Sequence, residues 1–78
     1  MSGTPGHYSL YLVVLVWNDG IRTYFTVREG SKDAAIACVE HYAYQEWTGT
    51  IVKTLAETLR VPVSDEEPRV PYHLFTES

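Results

Sequence analysis

The sequence predicts an α+β domain: an antiparallel β-sheet of three or more strands, one helix packed on one face, and an irregular, proline-containing C-terminal tail. Three observations lead there. Two β-rich runs, SLYLVVLVW (residues 9–17) and IRTYFTVR (residues 21–28), flank a turn of Asn18, Asp19 and Gly20, a strong short-range signal for a hairpin. From Ser31 onward, apolar residues recur at helical spacing. Hydrophobic residues make up 45% of the chain and aromatic residues 13%, too much apolar surface for a disordered segment. With 78 residues the chain makes one domain, small enough for a partner subunit to add to its stability.

Residues 1–6 (MSGTPG) read as a flexible leader, residues 7–63 as a single compact domain, and residues 64–78 as an extended acidic tail. The hairpin register decides what each face carries, because a slip of one residue exchanges the faces. A three-residue loop pairs Trp17 with Ile21. It then sets Tyr11, Val13, Leu15 and Trp17 beside Thr23, Phe25 and Val27, and Leu10, Leu12, Val14 and Val16 beside Arg22, Tyr24, Thr26 and Arg28. A two-residue loop moves the other half of strand one to the core. In either register an apolar stripe is left on the second face, and a single helix cannot cover both sides of a sheet.

Glu29 and Gly30 end the second strand. Ser31 is a good N-cap, and Asp33 complements the positive end of the helix dipole. Ala35, Ile36, Val39, Ala43 and Trp47 fall on one side, with Tyr42 at its margin, Lys32, Glu40, Tyr44 and Gln45 can face water, and Gly49 stops the helix. Residues 50–63 (TIVKTLAETLRVPV) fit two readings. Ile51, Leu55 and Leu59 would line a helix, but dense Thr and Val and the alternation from Ile51 to Leu59 favour a third strand over about the first half. In the tail, Pro68 and Pro71 argue for extended or irregular structure. Val70, Tyr72, Leu74 and Phe75 are sticky enough to pack back on the sheet or to join an edge strand of another copy.

Composition excludes several function classes. Six basic residues against ten acidic give a formal charge of -4, and the bases are scattered, so no basic track offers itself for direct nucleic-acid binding. A single cysteine, Cys38, rules out an internal disulfide framework and fits a reducing, cytoplasmic setting. The apolar run at residues 9–17 is too short to span a bilayer. Cys38 and His41 stand three apart on the expected helix, the arrangement of a thiolate beside an imidazole. No orienting third residue or oxyanion hole accompanies them, so Cys38 reads better as a packing residue. His7, His41 and His73 lack metal-ligand spacing, and Asp65, Glu66 and Glu67 lack the alternation and turn glycine of a calcium loop. Gly20 and Gly30 do not build a phosphate-binding turn. No cofactor or metal is expected.

In size, acidity and strand, strand, helix, strand order, the chain resembles small proteins of bacteriophages and prophages. Among these are anti-CRISPR proteins, which bind an effector complex and block it without catalysis. The segments that carry the likeness are the first strand into WNDG, the YFTV strand, the SKDAAIACVEHYA helix and the GTIV that follows. The resemblance implies a non-enzymatic inhibitor whose partner is another protein or a ribonucleoprotein complex, acting as an acidic plug or as a dimer. Candidate partner-binding residues come from the second face, Leu12, Val14, Arg22, Tyr24 and Arg28, where Tyr and Arg suit interface hot spots, and from the acidic run Asp65, Glu66 and Glu67. The alternatives are a homodimeric structural or regulatory domain and a small cysteine-dependent enzyme.

Overall fold

Alternating β-rich runs and one amphipathic helix fold as the pattern demands. A computed structural model describes residues 8–59 and 70–78, and the elements run β1 (Ser9–Trp17), β2 (Arg22–Glu29), α1 (Lys32–Glu46), β3 (Ile51–Leu59) and β4 (Tyr72–Glu77). The strands form one sheet in the order β3-β1-β2-β4, with every neighbouring pair antiparallel. The hairpin closes through a three-residue loop: Trp17 N–H donates to the Ile21 carbonyl at 2.8 Å, and Gly20 N–H to the Trp17 carbonyl at 2.9 Å. Gly20 sits at φ +88°, and Asp19 Oδ1 accepts from Ile21 N–H at 3.1 Å. Val16 therefore lies opposite Arg22 and Val13 opposite Phe25, which is the first of the two registers considered.

That register sends Tyr11, Val13, Leu15, Trp17, Thr23, Phe25 and Val27 under α1, where all are buried. Ser31 caps the helix, its Oγ accepting from Ala34 N–H at 3.1 Å. Ala35, Val39 and Ala43 are fully buried against the sheet, and the two alanines let the helix approach closely. Burial of a large side chain such as Phe25 or Leu15 contributes about 1.5–3 kcal/mol. Aromatic rings fill one end of the layer. Phe25 meets Trp47 edge to face at 5.6 Å and Tyr42 at 6.0 Å, and His73 lies 5.2 Å from Phe25.

Three details differ from the sequence expectation. The helix ends before Gly49: Trp47 is its C-cap in extended conformation, its N–H donating to the Ala43 carbonyl. Gly49 instead takes φ +126° in the following loop, where a Cβ would come 3.3 Å from Asn18 Oδ1. Glu40 does not simply face water, because Thr54 Oγ1 donates to its Oε2 at 2.6 Å. Residues 51–59 form a strand, longer than expected, and the pairing skips Val52, so Ile51 turns to the core side while Lys53, Leu55, Glu57 and Leu59 share the other face.

The end of the tail is extended and packs back on the sheet, one of the two outcomes open to it. Past Pro71 no proline interrupts the chain, and Tyr72–Glu77 pair with β2 as a regular edge strand with a bulge at Leu74. The leader, residues 1–6, and the acidic run Asp65, Glu66 and Glu67 lie outside the described residues.

Candidate functional site

The second face of the sheet is built by strand alternation alone. Residues that pair across antiparallel strands share a face. Leu10, Leu12, Val14 and Val16 of β1 thus stand beside Leu59, Glu57, Leu55 and Lys53 of β3, and beside Arg28, Thr26, Tyr24 and Arg22 of β2. β4 adds Tyr72, Phe75 and Glu77. Helix α1 occupies the opposite side, and no described helix or strand lies over this one. Leu55 is 47% exposed, Phe75 51% and Tyr72 67%. Leu12 and Val14, each half-buried, line with Leu55, Ala56 and Glu57 a depression of about 200 Å³.

On the β4 side the face is held by polar groups that are themselves exposed. Tyr24 stacks on Phe75 with ring centres 4.2 Å apart and planes 16° from parallel. Its hydroxyl donates to Glu77 Oε1 at 2.8 Å, and the same oxygen pairs with Arg22 Nη2 at 3.1 Å. The hydrogen bond to Glu77 raises the Tyr24 phenol above its usual 10.0, with burial and the Glu77 charge adding to the rise and Arg22 opposing it. Such an exposed ion pair adds little stability by itself. What the trio does is fix the orientation of the Tyr24 ring.

Of the residues proposed from sequence, Leu12, Val14, Arg22 and Tyr24 meet on this face. Arg28 lies on it as well, but the expectation that it stands exposed is corrected, since Arg28 is only 4% exposed. Its guanidinium sits 5.6 Å from the Tyr8 ring centre, and it lines a depression of about 470 Å³ with Leu10, Thr26, Val70, Pro71 and Tyr72 among its neighbours. Sequence reasoning missed Leu55, Phe75 and Glu77 as members of the face. The alternation of β3 signalled Leu55, but nothing local tied Phe75 or Glu77 to Tyr24, about fifty residues away by chain.

No family model matches the chain, and no curated protein and no solved structure is significantly similar to it. The site must be read from its own geometry.

The other constellations resolve differently. Cys38 is half-buried and packs against the core, whereas His41 is exposed with its Nε2 3.1 Å from Gln45 Nε2. His73 packs 5.1 Å from Trp47 and lies 2.9 Å from Thr76 Oγ1 through its Nε2. Among the described residues no three His, Cys, Asp or Glu side chains gather as metal ligands. No described helix is long and apolar enough to cross a membrane.

Proposed function

We propose that the chain is a non-enzymatic protein-binding module that docks another protein or a ribonucleoprotein complex on its second sheet face. One observation carries this reading: the aliphatic stripe from Leu10 to Val16, bordered by Leu55 on one side and the Tyr24–Phe75 stack on the other, has no described element packed on it. Four strands spaced about 4.8 Å apart, with eight or so residues rising about 3.3 Å each, present on the order of 500 Å². Only part of that area is apolar: Leu10, Leu12, Val14, Val16, Leu55, Tyr24 and Phe75 form its middle, and Arg22, Lys53, Glu57 and Glu77 its margins, the apolar centre and polar rim of a docking face. The finer proposal is a phage-type inhibitor that blocks a host CRISPR effector complex by occupying a surface. Its support is the small acidic build, with a formal charge of -4, and the strand, strand, helix, strand core.

The test is co-elution with purified CRISPR effector complexes, together with a target-cleavage assay. The full chain is expected to co-elute and to suppress cleavage. Leu12→Lys combined with Val14→Lys, both on the open face, is expected to abolish both effects at a temperature where the variant's far-UV circular dichroism still shows the native fold. If no effector complex binds, the inhibitor reading fails; if the double variant still binds, the face is wrong.

A homodimer through the same face is the second reading. Lys53 and Glu57 flank the stripe on β3, and Arg22 and Glu77 flank it on the β2 and β4 side. Both rims carry both signs, so a two-fold axis can set opposite charges against each other. Light scattering showing a dimer that Leu12→Lys with Val14→Lys dissociates would favour this reading over the first.

A further inference from the structure

Among the described residues Arg28 is a charge without a counter-charge. Arginine stays protonated in proteins, and taking it out of water unpaired is strongly unfavourable. Yet Arg28 is 4% exposed, and its Nε and Nη1 are buried with no hydrogen-bond partner. Among the described residues the ion pair formed on this face belongs to Arg22 and Glu77, on β2 and β4 at the far end of the strands. The Tyr8 ring, 5.6 Å away, offers only the weak attraction of a π face. Beside the guanidinium opens the depression of about 470 Å³, walled by Leu10, Thr26, Val70, Pro71 and Tyr72. That volume lies in the range of ligand sites, in which a few polar groups orient a largely apolar body.

We propose that this depression is a carboxylate site: it receives an anionic group carried on an apolar body, with Arg28 pairing the carboxylate and the Leu10, Pro71 and Tyr72 walls taking the apolar part. No hydrogen bond anchors Nε or Nη1, so rotation of the guanidinium toward the depression breaks none there. An incoming carboxylate then satisfies donors that are otherwise orphaned, and charge-assisted bonds of this kind are the strong ones. The site deepens the binding-face reading without depending on it, since the carboxylate can belong to a free small acid or to an acidic side chain of a docked protein.

Two probes separate these sources: 4-phenylbutyrate, and the capped peptide acetyl-Phe-Glu-Leu-amide. Each is titrated against the full chain with side-chain Nε–H NMR signals of Arg28 as readout, beside its uncharged counterpart, 4-phenylbutyramide or the Gln peptide. At least one acid is expected to saturate and to shift the Arg28 signal, with its amide about tenfold weaker or more, corresponding to about 1.4 kcal/mol. Tighter binding of phenylbutyrate assigns a free acid, and tighter binding of the peptide assigns a partner side chain. Arg28→Gln is expected to erase the preference for acid over amide. Should that variant fail to fold, the comparison of acid with amide on the unaltered chain decides alone. Equal binding of acid and amide, or no binding of either acid, overturns the proposal. So does binding that appears only in a variant carrying Asp65→Asn, Glu66→Gln and Glu67→Gln, because the chain's own acids would then hold the site. Co-elution with an effector complex is a separate measurement, so either idea can fail while the other stands.

Discussion

Single residues on the two faces of β2 do different work. On the buried face, Thr23 is 0% exposed, and its Oγ1 accepts from Trp17 Nε1 at 3.0 Å. Thr23→Val keeps the shape but orphans the indole N–H, which is expected to lower unfolding stability by about 1–3 kcal/mol in a urea titration. On the open face the Tyr24 phenol, raised mainly by its hydrogen bond to Glu77, is favoured in its neutral form by the fold. Its contribution is complete below the ordinary value of 10.0 and is lost as pH rises through the elevated value. Glu77→Gln removes the principal cause. Phenolate absorbance, taken as the difference from Tyr24→Phe, should then show Tyr24 ionising at lower pH than in the parent chain. The face on which Tyr24 stands was legible from alternation. Its partner was not, because Glu77 reaches it only through the pairing of β2 with β4, which no local pattern encodes.

At the scale of elements, the hairpin was legible from Asn18, Asp19 and Gly20, but not its register, which stayed open between a two- and a three-residue loop until the Trp17 and Ile21 backbone bond decided it. The helix start was legible from Ser31: a side-chain oxygen satisfies an otherwise open N–H. Its end was not. Gly49 was read as a helix stop, whereas its φ of +126° serves the loop in which Asn18 N–H donates to the Thr50 carbonyl at 2.8 Å. A side chain at position 49 meets both the backbone strain and Asn18 Oδ1, so Gly49→Ala is expected to cost about 1–3 kcal/mol by thermal unfolding. The skip at Val52 was hidden as well. Simple alternation puts Ile51 with Lys53 and Leu55, but the bulge turns Ile51 toward the core, where it packs against the buried cluster.

Across the molecule, the class of the fold was legible in the residues but the strand order was not. Local periodicity marks where strands are, yet β3-β1-β2-β4 depends on where α1 delivers the chain, on the far side of β1. The candidate site was half legible for that reason: β1 and β2 supplied Leu12, Val14, Arg22 and Tyr24, while its flanks came from β3 and β4. The outcome for Arg28 was illegible, because burial depends on the depth to which neighbours close around a residue. The edge position of β4 carries one more consequence. Among the described residues it pairs with β2 alone, and it spans only six residues and is interrupted at Leu74, so its amides are expected to exchange with deuterium faster than those of β1, which is flanked on both sides. Each time the strand peels away, Phe75 leaves Tyr24 and Glu77 leaves Arg22. The β4 flank of the proposed docking face therefore exists only while β4 is paired, and a partner that grips that flank together with β1 would act as a clasp, measurable as slowed exchange in residues 72–77.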